Sequence, residues 1–183
     1  MKKIFALLLV LMPLMLAAQD YDFAKTIGGN TLYFYITSTG GKHGATVEVT
    51  YPGPSEEKPW KGFSKPVGQV SIPEFVTPPR SDNPEDDDTT IYTVTSIRYF
   101  AFKGCNRIKK LVLPRSIKDM GEGAFEGCNK IAEIVTSADN PPLLNESSFD
   151  GVDLDIPVRI PVGSYENYKQ AVGWRMFTQL TEY

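Results

Sequence analysis

Two stretches of this 183-residue chain repeat one another at a spacing of 23 residues. Six identities recur in step, since Ala101, Phe102, Gly104, Cys105, Asn106 and Ile108 are matched by Ala124, Phe125, Gly127, Cys128, Asn129 and Ile131. A third, less regular copy follows 24 residues later, with Phe149 and Gly151 in the same slots. A fixed period of roughly 20 to 50 residues is typical of stacked supersecondary units. The sequence therefore predicts a β-rich α/β solenoid in which each copy forms one layer.

The position of each residue within a copy predicts whether it faces the core. The three phenylalanines are expected to lie one above another between the layers, and the glycine after each to fit a tight turn where a larger side chain would push the layers apart. A strand follows each turn, with inward residues Leu111, Leu113, Ile134, Val158 and Ile160. Val112, Val135 and Arg159 are then expected to form a column on the opposite side of the strands.

The N-terminus has the composition of a secretory signal peptide. Lys2 and Lys3 precede an apolar run from Ile4 to Leu16, and Ala17 and Ala18 supply the small residues of a cleavage site. We therefore expect residues 1–18 to be removed, and the protein to be exported to the cell surface, the periplasm or the medium. No second apolar run reaches membrane length, so no membrane span is predicted.

The mature chain divides into two regions. Residues 19–66 are predicted as a β-hairpin region, because 30–38 and 45–51 alternate and are rich in aromatic and β-branched residues. Residues 67–183 are predicted as the repeat stack, with an acidic loop at 77–90 and a C-terminal cap at 162–183. In that cap, Ser164 is expected to be a helix N-cap, and Tyr165, Tyr168 and Trp174 to fold over the last layer.

Charge and cysteine content exclude some classes of partner. The 19 basic and 22 acidic residues give a net charge of −3, without a cluster of basic residues along the sequence, which argues against a nucleic-acid partner. Cys105 and Cys128 occupy equivalent slots of adjacent copies, so their backbones should lie close enough for a disulfide, and the two side chains are either bonded or simply small and buried. Two cysteines and one distant histidine are too few ligands for a zinc site, and the acidic run at 85–88 lacks EF-hand spacing. No cofactor is predicted.

Catalytic patterns are absent from the sequence. His43, the one histidine, lies in a glycine-rich turn that would hold a catalytic base poorly. The acidic side chains of the repeats fall at turn and exposed positions, without a pair sequestered in an apolar setting; these are Asp119, Glu122, Glu126 and Glu133. No glycine pattern suits a phosphate site. The sequence therefore predicts a protein that is not an enzyme.

The paired motifs AFKGCN and AFEGCN, each followed by a strand, resemble the BspA-like leucine-rich repeats of bacterial surface proteins. YTVTSI upstream and IPVGSYENYKQAVGW at the end extend this resemblance over roughly residues 66–178. The resemblance implies a short leucine-rich-repeat stack of strands alternating with short helical or 3₁₀ turns. It also implies an exported protein that binds host or matrix proteins and has no catalytic activity.

Two functional hypotheses follow. In the first, an exported module binds a protein or glycan through the exposed strand face, and its contact residues are Lys110, Val112, Glu133, Val135 and Arg159. In the second, an accessory subunit of a surface assembly docks through the N-terminal β region, where Tyr33, Phe34, Tyr35 and Trp60 either form an interface or fill the core of the hairpin. The sequence does not indicate an oligomeric state.

Overall fold

The computed structural model describes residues 21–41, 44–80, 88–145 and 147–183. The predicted signal peptide, His43 and residues 81–87 of the predicted acidic loop lie outside the described residues. Strands dominate the described ranges, which contain a single short α-helix, α1 (Tyr165–Gln170). The strands are β1 (Phe23–Ile27), β2 (Asn30–Thr39), β3 (Ala45–Thr50), β4 (Val67–Ser71), β5 (Phe75–Val76), β6 (Tyr92–Ile97), β7 (Arg107–Leu113), β8 (Asp119–Met120), β9 (Glu133–Thr136), β10 (Leu143–Leu144), β11 (Pro157–Ile160) and β12 (Gln179–Glu182).

The strands form two sheets. The first has the order β1-β2-β3-β6-β8-β10, with β5 also paired to β6, and the second has the order β12-β11-β9-β7-β4. Every pairing in the second sheet is parallel, as are β6 with β8 and β8 with β10. Each repeat copy therefore contributes one strand to each sheet, and the result is a β-rich repeat fold with few helices.

The N-terminal region is a meander of three antiparallel strands, β1 to β3, of which the sequence predicted the hairpin of β2 and β3. β3 then pairs in parallel with β6, the first strand of the repeats. The hairpin region and the repeat region consequently share one sheet and one hydrophobic core.

A column of aromatic rings runs between the two sheets. The rings of Phe102 and Phe125 stack with centroids 5.1 Å apart, and those of Phe125 and Phe149 with centroids 5.2 Å apart. Trp60 stacks on Phe102 at one end, and Trp174 contacts Phe149 at the other. The predicted stacking of the three phenylalanines is therefore confirmed, and two tryptophans extend the column beyond it.

The turns that carry these rings are joined by main-chain hydrogen bonds. The amide of Phe102 donates to the carbonyl of Ala124 at 2.7 Å, and the amide of Phe125 to that of Ser148 at 2.8 Å. Gly127 lies in the same turn as Phe125 and has φ +73°. A Cβ at Gly127 would lie 3.6 Å from the Cα of Gly104, which is an ordinary van der Waals contact. The expected reason for glycine is therefore wrong: the left-handed backbone, rather than crowding between layers, requires it.

The C-terminal residues pack against the last copy. Tyr168 of α1 and Trp174 are fully buried, and the Tyr168 hydroxyl donates to the carbonyl of Ala138 at 2.8 Å. Burial raises the pKa of Tyr168 to about 12. Tyr165, which was expected to join them, is 38% exposed.

The start of α1 differs from the expectation. Ser164 occupies the N-cap position, but its side chain makes no capping hydrogen bond. The Glu182 carboxylate of β12 instead accepts hydrogen bonds from the amides of Gly163 at 2.9 Å and Tyr165 at 3.1 Å.

Asn30 at the start of β2 attaches the N-terminal meander to the second sheet. Its side-chain amide donates to the carbonyls of Val67 and Gln69 at 3.0 Å and 2.9 Å, and its side-chain oxygen accepts from the amide of Val67 at 2.8 Å. These three bonds involve main-chain groups of β4.

Among the described residues, no helix is long and apolar enough to cross a membrane.

Candidate functional site

The five residues predicted as contacts lie together on the outer face of the second sheet, and we call them the strand strip: Lys110, Val112, Glu133, Val135 and Arg159. Successive residues of a strand point to opposite faces. Leu111, Ile134 and Val158 are accordingly fully buried, while the strip residues between them are half-buried or exposed.

Strand register brings the strip residues side by side. Lys110 is paired with Glu133, Val112 with Val135, and Val135 with Arg159. Equivalent slots of the repeat therefore become neighbours across three strands, which confirms the predicted column of Val112, Val135 and Arg159.

Glu133 sits between two cations of the strip. Its carboxylate lies 2.7 Å from the Nζ of Lys110 and 3.0 Å from the Nε of Arg159. Ion pairs at such partly exposed positions add little stability, generally below about 1 kcal/mol each. In the structure they place two long charged side chains beside Val112 and Val135, so the strip presents charges of both signs next to two apolar residues.

The strip continues onto two strands that the sequence analysis did not include. Ser71 of β4 is paired with Val112, and Thr181 of β12 is paired with Arg159. Ile72-Pro73, directly after β4, matches Leu113-Pro114 at the end of β7 and Ile160-Pro161 at the end of β11, a sequence signal by which β4 could be found. The sequence of β12 lacks the repeat pattern and gave no comparable signal.

The two cysteines are free thiols, both fully buried. The structure therefore contains no disulfide between Cys105 and Cys128. It agrees with the other alternative, in which both cysteines are small buried residues. The Cys128 thiol donates to the carbonyl of Phe102, with a sulfur-to-oxygen distance of 3.1 Å. Burial raises the pKa of the Cys128 thiol to about 12. Burial also raises the pKa of the Cys105 thiol, and the neighbouring Cys128 adds to this effect.

The acidic residues considered for catalysis stay apart. Asp119 and Glu122 are exposed, Glu126 pairs with Lys103 at 3.0 Å, and Glu133 belongs to the strip. Although Asp119 is exposed as a whole, partial burial of its carboxyl raises the pKa of that group, and Lys118 opposes this effect. Across the described ranges, no group of three or more His, Cys, Asp or Glu residues could hold a metal ion.

The N-terminal aromatic residues of the second hypothesis are mostly in the core. Tyr33, Phe34 and Trp60 are buried, and the Trp60 indole donates to the carbonyl of Ala101 at 3.1 Å. Tyr35 is the exception, with 41% of its surface exposed. Its ring lies beneath the guanidinium of Arg98, at 5.2 Å.

Comparison with known proteins identifies the repeats. A family model described as the BspA type leucine rich repeat region (6 copies) matches residues 88–162. No curated protein sequence matches the chain.

Three solved structures are similar to this chain. A leucine-rich repeat protein from Bacteroides capillosus ATCC 29799 has 20% sequence identity and a TM-score of 0.49, over 88% of this chain and 99% of that one. A leucine-rich repeat protein from Bacteroides ovatus ATCC 8483 has 22% identity and a TM-score of 0.46, over 88% of this chain and 41% of that one. A leucine rich cell surface protein from Faecalibacterium prausnitzii A2-165 has 16% identity and a TM-score of 0.43, over 89% of this chain and 33% of that one.

The last two proteins are thus more than twice as long as the part that this chain matches. The family match falls on the strands and turns that carry the aromatic column and the strand strip. Residues 88–162 of this chain accordingly match the BspA type leucine rich repeat region.

Proposed function

We propose that this protein is an exported, non-catalytic binding scaffold that recognises a protein at the bacterial surface through the strand strip. In this proposal the repeats form a short solenoid, α1 with Trp174 closes its C-terminal end, and residues 1–18 direct export. Repeats of this family generally act as binding scaffolds and are typically surface-associated. N-terminal sequencing of the exported protein checks the leader, since cleavage after Ala18 would leave Gln19 first.

The observation that carries the proposal is the ion-paired arrangement around Glu133. Glu133 pairs with Lys110, which lies next to Val112 along β7, and with Arg159, which lies next to Val135 across the sheet. A binding surface loses less side-chain entropy when its long side chains are already ordered. An apolar centre with a charged rim is also the usual pattern of a protein interface.

A protein ligand fits the strip better than a sugar ligand. Neutral sugar rings are commonly bound by stacking on exposed aromatic side chains, and none of the five strip residues is aromatic. Docking through the N-terminal β region is less well supported, because three of the four aromatic rings named for it are buried and so cannot contact a partner. The strip offers a continuous surface, so we retain it as the proposed site.

The experiment measures binding of the purified protein to an array of extracellular-matrix proteins and glycans. The test variant combines Val112→Ser, Glu133→Gln and Arg159→Gln. A matched control makes the same exchanges at exposed positions near the C-terminus, as Val172→Ser, Glu166→Gln and Arg175→Gln. We expect the strip variant to bind a matrix protein at least about ten-fold more weakly, because truncating a few central residues removes most interface energy.

The control variant should bind as the unmodified protein does. Equal binding by the strip variant and the unmodified protein would contradict the strip as the site. Preferential binding to glycans, weakened in the strip variant, would contradict the choice of ligand class. If the unmodified protein bound nothing on the array, the adhesion-like function would be contradicted.

A further inference from the structure

Two shallow grooves flank Lys65 at the N-terminal end of the repeats, and we call them the Lys65 grooves. The first has a volume of about 360 Å³ and is lined by Lys58, Lys61, Lys65 and Lys103, with Glu57 as its one acidic residue. The second has a volume of about 490 Å³ and is lined by Lys65 and Arg107 among polar and apolar residues. The fold thus brings Lys103 and Arg107 beside the three lysines of residues 58–65, a proximity that the sequence did not indicate.

Three of these five cations are available to a ligand. Lys65 donates to the carbonyl of Gly104 at 2.9 Å, and Lys103 pairs with Glu126. Lys58, Lys61 and Arg107 are exposed and form no ion pair with a described residue. Since the chain as a whole carries a net charge of −3, this positive region stands out against its surroundings.

The loop that carries Lys58 and Lys61 is firmly held. The Trp60 indole between them is buried, stacks on Phe102 and donates to Ala101. At the base of the loop, the amide of Gly53 donates to the carbonyl of Pro59 at 2.7 Å, where a Cβ on Gly53 would clash with main-chain atoms. The two lysines therefore project from a preformed loop, which reduces the entropic cost of binding a ligand.

We propose that the Lys65 grooves bind an acidic polysaccharide, whose carboxylate or sulfate groups contact Lys58, Lys61 and Arg107. Two adjoining grooves with cations spread along them suit a chain that carries anionic groups at intervals. An isolated anion could engage only part of this set. This site is separate from the strand strip and does not depend on the function proposed for it.

A nucleic acid is a poorer match for these grooves. Single-stranded nucleic acids generally need exposed aromatic rings on which bases can stack. The aromatic residues beside the grooves are Tyr33 and Trp60, which are buried, and Phe63, which is half-buried. The grooves therefore offer charge without a stacking surface.

The test uses heparin as a sulfated polysaccharide probe, with uncharged dextran and a single-stranded oligonucleotide for comparison. Binding is measured calorimetrically with the full chain at several salt concentrations. The test variant is Lys58→Glu with Lys61→Glu, accompanied by the milder Lys58→Gln with Lys61→Gln. The matched control is Lys118→Glu with Lys130→Glu, which changes the net charge equally at two exposed lysines elsewhere.

We expect heparin binding that weakens as salt rises, a loss of about ten-fold or more in the Lys58/Lys61 variants, and near-normal binding by the control. Circular dichroism should show all variants folded, because the four lysines are exposed. Unchanged binding in both Lys58/Lys61 variants would overturn the site, as would an equal loss in the control. Failure to bind heparin, or tighter binding of dextran or the oligonucleotide, would overturn the ligand class.

Discussion

Phe125 is the central ring of the aromatic column, stacked on Phe102 on one side and Phe149 on the other. It is fully buried, so its removal would leave a cavity that the flanking layers, themselves joined by main-chain hydrogen bonds, could fill only in part. Phe125→Ala is expected to lower the free energy of unfolding by about 3 to 5 kcal/mol, measured by urea denaturation.

Phe75→Ala is the matched control for this substitution. Phe75 is 58% exposed, so its loss should change stability by only about 0.5 kcal/mol. Equal losses for the two variants would show that the column does not stabilise the stack as we infer.

The raised pKa of Cys128 predicts a pH dependence of stability. Burial raises this pKa from its ordinary value of 9.0 to about 12. Between these values the folded state keeps a proton that the unfolded state has lost, so stability is fully present below about pH 9 and falls as pH rises toward 12. In Cys128→Ala the free energy of unfolding should decrease less steeply with pH, by up to about 1.4 kcal/mol per pH unit. Denaturation measured at several pH values gives this slope.

A buried variant without a titrating group provides the control. Ile131→Val should lower stability by about 1 kcal/mol at every pH and leave the slope unchanged. A slope that does not change in Cys128→Ala would contradict the inferred thiol environment.

At the scale of single elements, α1 depends on a residue that is distant in sequence. Glu182 of β12 accepts hydrogen bonds from the amide of Tyr165, the first helical residue, and from that of Gly163 just before the helix, whereas the Ser164 side chain makes no such bond. Glu182→Ala should therefore destabilise the protein by about 1 kcal/mol, as typical cap removals do, and Ser164→Ala by less. Thermal denaturation of the two variants measures the difference, and a larger loss for Ser164→Ala would contradict the assignment of the cap.

The elements that could be predicted are those that repeat. A 23-residue period places equivalent slots in register across parallel strands, so the buried leucines, the phenylalanine stack and the outward column could be read from position alone. Local rules could not find Glu182 as the cap, because it lies far along the chain from α1. Nor could they find the pairing of β3 with β6 or the strand β12, since non-local contacts without a repeat decide both.

The two candidate sites differ in the same respect, since one could be predicted from the repeats and the other could not. The strand strip follows from alternation within repeated strands, so all five of its residues could be named beforehand. The Lys65 grooves depend on how a non-repetitive loop folds back against Gly104 and Arg107, a contact that no local pattern encodes.

At the scale of the whole molecule, one continuous core predicts cooperative unfolding. Trp60 and Trp174, the two tryptophans of the chain, sit at opposite ends of the aromatic column. Trp174→Phe leaves Trp60 as the fluorescent reporter, and Trp60→Phe leaves Trp174. In each variant, the urea midpoint from fluorescence should equal that from circular dichroism, because both ends belong to one hydrophobic cluster.

A control distinguishes the loss of a ring from the loss of cooperativity. The variant with both replacements, Trp60→Phe and Trp174→Phe, should still unfold in a single step by circular dichroism. Midpoints that differ between the two methods in either single variant would show that one end of the column unfolds separately.

The three hydrogen bonds between Asn30 and β4 also bear on how the molecule can associate with copies of itself. Parallel sheets of stacked repeats can grow into fibres when one copy adds its terminal strand to the free main-chain groups of the next. In β4 those groups at Val67 and Gln69 are already occupied by the Asn30 side chain. A copy that adds a strand to β4 would first have to displace this one amide side chain, which opposes head-to-tail polymerisation through that edge.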